Sequence, residues 1–459
     1  MSHKADTIAA IATPVGAGAI GILRLSGERA VEIASACFRP LGRASLLERQ
    51  ERTLVYGDLL DQEGEVIDRV LCTYTRAPST YTGEDTAEIH CHGSSAVLTL
   101  GLEALYAQGA RPAKAGEFTQ RAFLNGQLDL AQAEAVADLL EARSREGARQ
   151  AAGQLCGALS RRIEQIYSGL VDIMAHFHAV LDYPEEDIAP FTMTELEQQL
   201  SHQELELTKL LATYQRGRQM NQGVQCVLVG RPNAGKSSLL NALVGYERAI
   251  VTDIPGTTRD TIEEQIELGG IPLRIIDTAG LRDSHDPIEQ MGVERSREAM
   301  ERAELILVLW DSTTQVQEED KALLNEAVQL APTILVWTKK DLSHVSPPAL
   351  PDGASVSVVE LSSKTGDGME QLGKAVAAQF PKQTGASYGA VLTNVRQAQA
   401  AQQALEGVKR SREALLAGMT PDALLTDVEQ ALEALGELTG QSVREDVTAR
   451  IFARFCVGK

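Results

Sequence analysis

Aromatic residues make up only 4% of the chain. That scarcity leaves no obvious platform for stacking nucleobases, so a partner would have to supply most of any base contact. Long apolar runs are missing too, and no stretch approaches the roughly 20 residues a membrane helix needs. Met1–Gly27 lacks a charged segment followed by an apolar one, so no signal peptide is expected. Six cysteines (Cys37, Cys72, Cys91, Cys156, Cys226 and Cys456) are scattered without framework spacing. Such usage fits a reducing cytoplasm and excludes a disulfide scaffold. Positive charge is also short: the formal net charge is −20, which excludes a generally basic nucleic-acid sleeve but not a local basic patch.

What is present is one stretch around which the rest is organised, Val227–Leu240. Cys226 to Val229 is an apolar run that reads as a short buried strand. Gly230 to Ser237 (GRPNAGKS) fits G-x-x-x-x-G-K-[ST] at every fixed position, and Ser238–Leu243 has helical spacing. Strand, glycine loop and helix together form a phosphate cradle, because tight backbone curling points successive N–H groups inward. The helix N-terminus adds partial positive charge. In this arrangement Lys236 reaches the β- and γ-phosphates and the Ser237 hydroxyl takes a Mg²⁺ position. Asn233, Ala234, Gly235 and Ser238 complete the nucleotide-facing loop.

With 459 residues, the chain has room for about three domains. Residues 1–123 read as mixed α and β. Thr7–Ile11, Ala19–Leu25 and Ala87–Cys91 are strand-like, Leu54–Leu60 and Val66–Tyr74 form a predicted hairpin, and Ser95–Gln108 has helical periodicity. His90, Cys91 and His92 invite a metal reading, but on a strand the cysteine faces away from both histidines and further ligands at zinc spacing are missing. Residues 124–221 are helical, with Leu128–Ser144, Arg145–Val180 and Thr194–Met220 rich in Ala, Leu, Glu and Gln. Arg143, Arg145, Arg149, Arg161 and Arg162 read as a solvated helix face. Residues 222–381 alternate strands with helices: Ile271–Ile276, Leu305–Trp310, Thr333–Trp337 and Val356–Leu361 are the later strands of a doubly wound sheet. Residues 382–459 return to helices over Leu392–Leu416, Ala423–Gly436 and Gln441–Phe455. The fold class expected is multidomain α/β: a mixed N-terminal domain, an all-α domain split in sequence, and an inserted P-loop domain.

Four more segments follow the phosphate loop in order. Gly256-Thr257-Thr258-Arg259-Asp260 precedes the second strand, where a threonine can complete Mg²⁺ coordination and sense the γ-phosphate. Asp277-Thr278-Ala279-Gly280 ends the strand LRII; Asp277 can hold Mg²⁺ through water, and the Gly280 N–H can face the γ-phosphate. Thr338-Lys339-Lys340-Asp341 ends ILVW, and a carboxylate at Asp341 can accept both N1–H and N2–H₂ of guanine. Leu361-Ser362-Ser363-Lys364 ends the last strand and closes over the base. Each is weak alone, but all sit at strand carboxyl ends, where such sheets bind ligands. In this order they resemble the translation-factor-related GTPases, which implies guanine nucleotide.

Two departures stand out. Thr338 replaces the asparagine that usually ties the base loop to the phosphate loop, which predicts weaker nucleotide affinity. Leu281 follows the DTAG glycine, where Ras-like switches carry the glutamine that orients the attacking water. A water-positioning group must therefore come from elsewhere, and Asp283, Asp286 and Glu289 are the nearby acids among which spacing does not choose.

End to end the chain resembles the MnmE (TrmE) family of tRNA wobble-uridine modification GTPases. The resemblance rests on ATPVGAGAIGILRLSG, YTGED, GEFTQRAFLNGQLDLAQAEAVADLL, DTAGLRDS and the terminal Phe455-Cys456-Val457-Gly458-Lys459. It implies a folate-binding, dimerising N-terminal domain, a GTPase activated by dimerisation of its nucleotide domains, and K⁺ in place of an arginine finger. By position it implies that Asn233, Thr252, Ile254 and Thr257 contact K⁺, and that Asp253, Pro255, Gly256 and Thr278, Ala279 line the nucleotide site. Glu289 aligns with the water-orienting glutamate. Arg24, Glu88, Gln127 and Lys459 match the positions for a 5-formyl-tetrahydrofolate-type ligand, although Gln127 departs from a lysine found in some relatives. Cys456 becomes a candidate thiol at the modification site. The implied partners are a second copy of the chain, tRNA and the FAD-dependent protein MnmG, with no membrane. The rival expectation is a ribosome-assembly switch that binds rRNA through a basic G-x-x-G loop; the segment Gly18–Gly21 encloses only Ala and Ile. A membrane-associated scaffold with a vestigial site is the third reading, which the complete phosphate and Mg²⁺ set disfavours.

Overall fold

The computed structural model describes residues 6–14, 16–142, 144–182, 193–246, 263–276, 297–342, 345, 347, 356–380, 388–419, 421–441, 451–453, 455 and 457–458. The chain divides into two compact units. One comprises residues 1–137, 155–204 and 403–459; the other comprises 138–154 and 205–402.

The first unit is built on seven strands: β1 (Ile8–Ile11), β2 (Gly18–Ser26), β3 (Phe38–Pro40), β4 (Val55–Leu60), β5 (Val66–Thr75), β6 (Thr86–Gly93) and β7 (Arg111–Pro112). Their spatial order is β3-β4-β5-β6-β2-β1-β7. The period-2 pattern of β2 and β6 sends Leu23, Leu25, Ala87, Ile89 and Cys91 into one core, under helices Ala30–Ala36 and Ser95–Ala107. The opposite face carries Arg24 and Glu88, which are register partners. Cys91 is buried, while His90 and His92 lie on that other face beside Glu88 and Asp68. The alternation expected of the His-Cys-His stretch is therefore what forms. Burial pushes the Cys91 thiol up to about 12 and Cys37 to about 11, so both are inert packing groups.

Two of the expected helical runs are each divided in the structure. The run Arg145–Val180 is two helices, Arg145–Leu155 and Ala158–Asp182, separated at Gly157, which has a left-handed φ of 79°. Likewise Thr194–Met220 is Met193–Leu211 followed by Tyr214–Gln222. The expected helix over Gln441–Phe455 lies mostly outside the described residues, as does Arg143. Phe452 and Phe455 join Val136 and Ala133 in a small apolar cluster of the first unit.

The second unit holds six strands: β8 (Val224–Gly230), β9 (Glu263–Leu268), β10 (Ile271–Ile276), β11 (Leu305–Asp311), β12 (Thr333–Thr338) and β13 (Ser357–Glu360). Their order is β13-β12-β11-β8-β10-β9, parallel except for the β9–β10 hairpin. β11 and β12 are apolar on both faces because helices cover both, which makes two cores, one around Leu228, Leu307 and Val336 and one around Val308, Trp310 and Leu335. β9 was not expected. Its signal was present: Gly269-Gly270, both with positive φ, is a two-residue hairpin turn between strand-like runs.

Among the described residues, no helix is long and apolar enough to cross a membrane.

An ion cluster fixes helix Glu117–Leu124 to the first unit. The Glu117 carboxylate, 9% exposed, accepts from Arg111 at both nitrogens, from the Lys114 N–H and from Arg121, and Arg121 also pairs with Asp6 and Glu84. Burial raises the Glu117 pKa, but the Arg111 hydrogen bonds, the Lys114 N–H and the two guanidinium charges outweigh it and hold it below 4.5. Its stabilisation is therefore complete above about pH 4.5 and is lost as pH falls through the depressed folded-state value. Glu117→Ala is expected to cost about 3 kcal/mol in urea unfolding at pH 7, and the variant should lose less stability than the parent on acidification to pH 3. Equal acid sensitivity in the two proteins would refute this assignment.

Candidate active site

The phosphate loop forms between β8 and helix Lys236–Tyr246. Its entry depends on Gly230, with φ 154°, because a β-carbon there would stand 2.5 Å from the Leu309 carbonyl oxygen of β11. Asn233 takes a left-handed φ of 64° and is exposed at the loop crest. The Lys236 ammonium folds back to donate to the Gly230 and Arg231 carbonyls at 2.6 and 2.9 Å. A phosphate placed over the loop would compete for the same ammonium. Ser237 and Ser238 are exposed in the first turn of the helix, so the Ser237 hydroxyl is free to face a divalent cation. An oxygen donor beside a lysine and a helix N-terminus suits Mg²⁺, a hard cation that takes one or two protein ligands plus phosphate oxygens.

The segment expected to recognise the base sits two strands away. Thr338 is buried at the end of β12, in register with Asp311 of β11. Its hydroxyl lies 2.8 Å from the Ala234 carbonyl oxygen and 3.1 Å from that of Trp310. The hydroxyl thus makes the tie to the phosphate loop for which asparagine was expected, although with a single donor hydrogen to share between two acceptors. Lys339 has a left-handed φ of 59°. Asp341 Oδ1 accepts from Ser362 Oγ at 2.7 Å, and the Lys340 N–H donates to the Leu361 carbonyl, so the two loops expected to hold the base are stitched together. Ser363 is half-buried and Lys364 exposed beside them. The carboxylate retains lone pairs for a guanine edge.

Asp311 is a residue that motif reading missed. It holds Lys339 Nζ at 2.6 Å, and the Thr313 N–H and hydroxyl at 2.9 and 2.6 Å. Burial raises its pKa, but the Lys339 hydrogen bond and the two Thr313 donors outweigh that and bring it below the ordinary value. The available signal was positional, an acid at the carboxyl end of a parallel strand next to the one carrying the phosphate loop.

Much of the expected site lies outside the described residues. This holds for Thr252, Asp253, Ile254, Pro255, Gly256, Thr257 and Thr258, for Asp277, Thr278, Ala279 and Gly280, for Leu281, Asp283, Asp286 and Glu289, and for Cys456 and Lys459.

In the first unit, Arg24 lies within β2. Its Nε donates to Glu88 at 2.8 Å, its Nη1 reaches the Gly458 carbonyl at 3.4 Å, and the guanidinium lies 5.9 Å from the Phe118 ring centre. Gly458 has φ 97°, and a β-carbon there would collide with the Ile11 carbonyl. Tyr81, hydrogen-bonded to Thr119, has its pKa raised by burial against the pull of Thr119 and Arg24. The structure therefore brings Arg24, Glu88 and the residue before the chain's last one together. Gln127 is exposed and lies against the Gly83 turn.

Comparison with known proteins places these two regions in context. Residues 7–127 match the family model described as GTP-binding protein TrmE N-terminus, and residues 130–456 match that of the MnmE helical domain. The tRNA modification GTPase MnmE of Chloroflexus aurantiacus is 46% identical over 99% of this chain and 100% of its own length. That of Acetivibrio thermocellus is 40% identical over the whole of both chains. Among solved structures, the G domain of the T. maritima FeoB iron transporter is 27% identical and covers 34% of this chain and 99% of that one, with a TM-score of 0.27.

The Thr338 tie gives a direct expectation. Thr338→Val keeps the side-chain shape but leaves the Ala234 and Trp310 carbonyls without their shared donor. Affinity for GDP should fall roughly fivefold to tenfold, with the preference for guanine over adenine nucleotides unchanged because Asp341, the acid expected to read guanine, is untouched. Calorimetric titration with GDP and ADP measures both, and undiminished GDP affinity would show that the tie is dispensable.

Proposed function

The chain belongs to the MnmE family of tRNA modification GTPases, and from that footing we propose that it hydrolyses GTP in a K⁺-dependent reaction switched on when two copies of its nucleotide-binding region pair. The hydrolysis drives modification of the tRNA wobble uridine. The observation that carries this reading is the phosphate loop itself, with Lys236 held at its mouth and tied through Ala234 to the base loop by Thr338.

In the proposed reaction, the loop N–H groups and the start of helix Lys236–Tyr246 bind the phosphates, and Lys236 exchanges its loop carbonyls for β- and γ-phosphate oxygens. Ser237 and Thr258 are the protein ligands for Mg²⁺, and Asn233, Thr252, Ile254 and Thr257 are those for K⁺. When bound, the two cations would supply positive charge against the oxygens on which negative charge builds during phosphoryl transfer. Asp277 would hold Mg²⁺ through water, the Gly280 N–H faces the γ-phosphate, and Asp341 reads guanine beside Lys339 and the Ser362–Lys364 loop. Glu289 orients the attacking water, since Leu281 has no polar atom to do so.

Arg24, Glu88, Gln127 and Lys459 form the proposed contacts to a tetrahydrofolate one-carbon donor, with Arg24 suited to pair with the ligand's carboxylates. Cys456 stands in the same terminal segment as the proposed modification-site thiol. The protein acts as a homodimer in the cytoplasm, with MnmG and tRNA, to add an aminomethyl-type group at carbon 5 of the wobble uridine.

Single-turnover GTP hydrolysis in K⁺ and in Na⁺ at matched ionic strength tests the central step. Hydrolysis should be fast only in K⁺ and should drop by about a hundredfold or more in Glu289→Ala, the size typical of a lost water-positioning group. Equal rates in the two salts would remove the K⁺ assignments, and an unaffected variant would remove Glu289 from catalysis.

A further inference from the structure

Asp311 lies at the carboxyl edge of the second unit's sheet, and its carboxylate, 13% exposed, faces three donors from two loops. Holding an ion that far out of water is costly unless its lone pairs are satisfied. Here they are: Lys339 takes Oδ2, while the Thr313 N–H and hydroxyl share Oδ1. No phosphate, Mg²⁺ or base motif calls for an acid at this position.

Lys339 is held at both ends. Its main chain is left-handed, a conformation few non-glycine residues adopt, and Ser312 pins it. Ser312 Oγ donates to the Lys339 carbonyl at 3.1 Å and the Ser312 N–H to the Thr338 carbonyl at 3.1 Å. Its ammonium is anchored 2.6 Å from Asp311. Between these anchors runs the apolar stem of the lysine, a narrow strip of methylenes in the loop whose Asp341 is oriented by Ser362.

We propose that Asp311 is a positioning residue for guanine-nucleotide binding: by anchoring the Lys339 ammonium to β11, it sets the lysine stem in advance as one wall of the slot whose polar edge is Asp341. This rests on the reading that Lys339 and Asp341 border the base. The physical gain is preorganisation. A free four-carbon side chain must be ordered when the base arrives, whereas an anchored one has already lost that freedom.

The test is a double-mutant cycle on the full chain, with GDP bearing a ribose fluorophore as probe and unlabelled GDP as competitor. Lys339→Met and Asp311→Asn should each raise Kd by about tenfold. Asp311→Asn added to Lys339→Met should change Kd by less than about twofold, because Asp311 acts only through the lysine. In steady-state GTP hydrolysis the loss should fall on KM more than on kcat. Thr313→Val, at an exposed position, removes one donor from Asp311 and should shift Kd a few-fold in the same direction even if Asp311→Asn lowers the melting temperature. A normal Kd in Asp311→Asn beside a weakened Lys339→Met would overturn the proposal and leave the base-slot reading standing. Multiplicative losses would overturn it by assigning Asp311 an independent structural role. Normal affinity in Lys339→Met, which keeps an apolar stem but cannot be anchored by Asp311, would overturn the proposal, whereas normal affinity in Lys339→Ala, which removes the wall itself, would refute the base-slot reading as well.

Discussion

The nucleotide site depends on a close approach between two backbones. Gly230 ends β8 so near to β11 that any β-carbon would press on the Leu309 carbonyl, and only there can the chain turn into a loop whose N–H groups converge. That approach is enforced by the sheet. β8, β11 and β12 are apolar on both faces and packed between two cores, so their spacing is set by ladder hydrogen bonds and cannot relax outward. At the carboxyl ends of these strands the phosphate loop, Asp311, Thr338 and Asp341 collect. Thr338 then locks the loop to the third of these strands through a buried hydroxyl.

An acidic protein that binds a polyanion meets an electrostatic difficulty, and with a net charge of −20 the overall field opposes nucleotide approach. The site answers locally. Screening confines the general field to about 8 Å at physiological ionic strength, whereas the loop N–H groups, the helix N-terminus and Lys236 act within hydrogen-bond distance. Among the described residues, two acids beside the phosphate loop are themselves occupied: Asp311 by Lys339 and Thr313, Asp320 by the Gln317 N–H and by Arg231 at 3.6 Å. Such pairing keeps the carboxylates from repelling phosphate.

The first unit solves a different problem, that of bringing residues from opposite ends of the chain together. Val457 bridges to Ala115, and Gly458 passes so close to the Ile11 carbonyl that only glycine fits. The result puts the Gly458 carbonyl within reach of Arg24. Phe452 and Phe455 anchor the returning segment in an apolar cluster, so the placement of the chain's end depends on hydrophobic burial more than on the single long hydrogen bond to Arg24.

Local pattern and chemistry by themselves determined a large part of this molecule. Period-2 alternation placed β2, β5 and β6 to within a residue or two, apolar runs marked β10, β11 and β12, and the G-x-x-x-x-G-K-[ST] spacing located the phosphate loop. These are short-range properties, written in neighbouring side chains and glycine positions, so they can be read without knowing what packs against them. Other features arise only when distant segments meet. Thr338 looked like a loss of the usual tie, yet the register of β12 beside β11 carries its hydroxyl to the Ala234 carbonyl. Asp311 acquires its role from a lysine 28 residues further on, and Arg24 meets Gly458 across 434 residues. Contacts of this kind depend on strand order and close packing, which no local pattern encodes, and so the tertiary structure alone decided them.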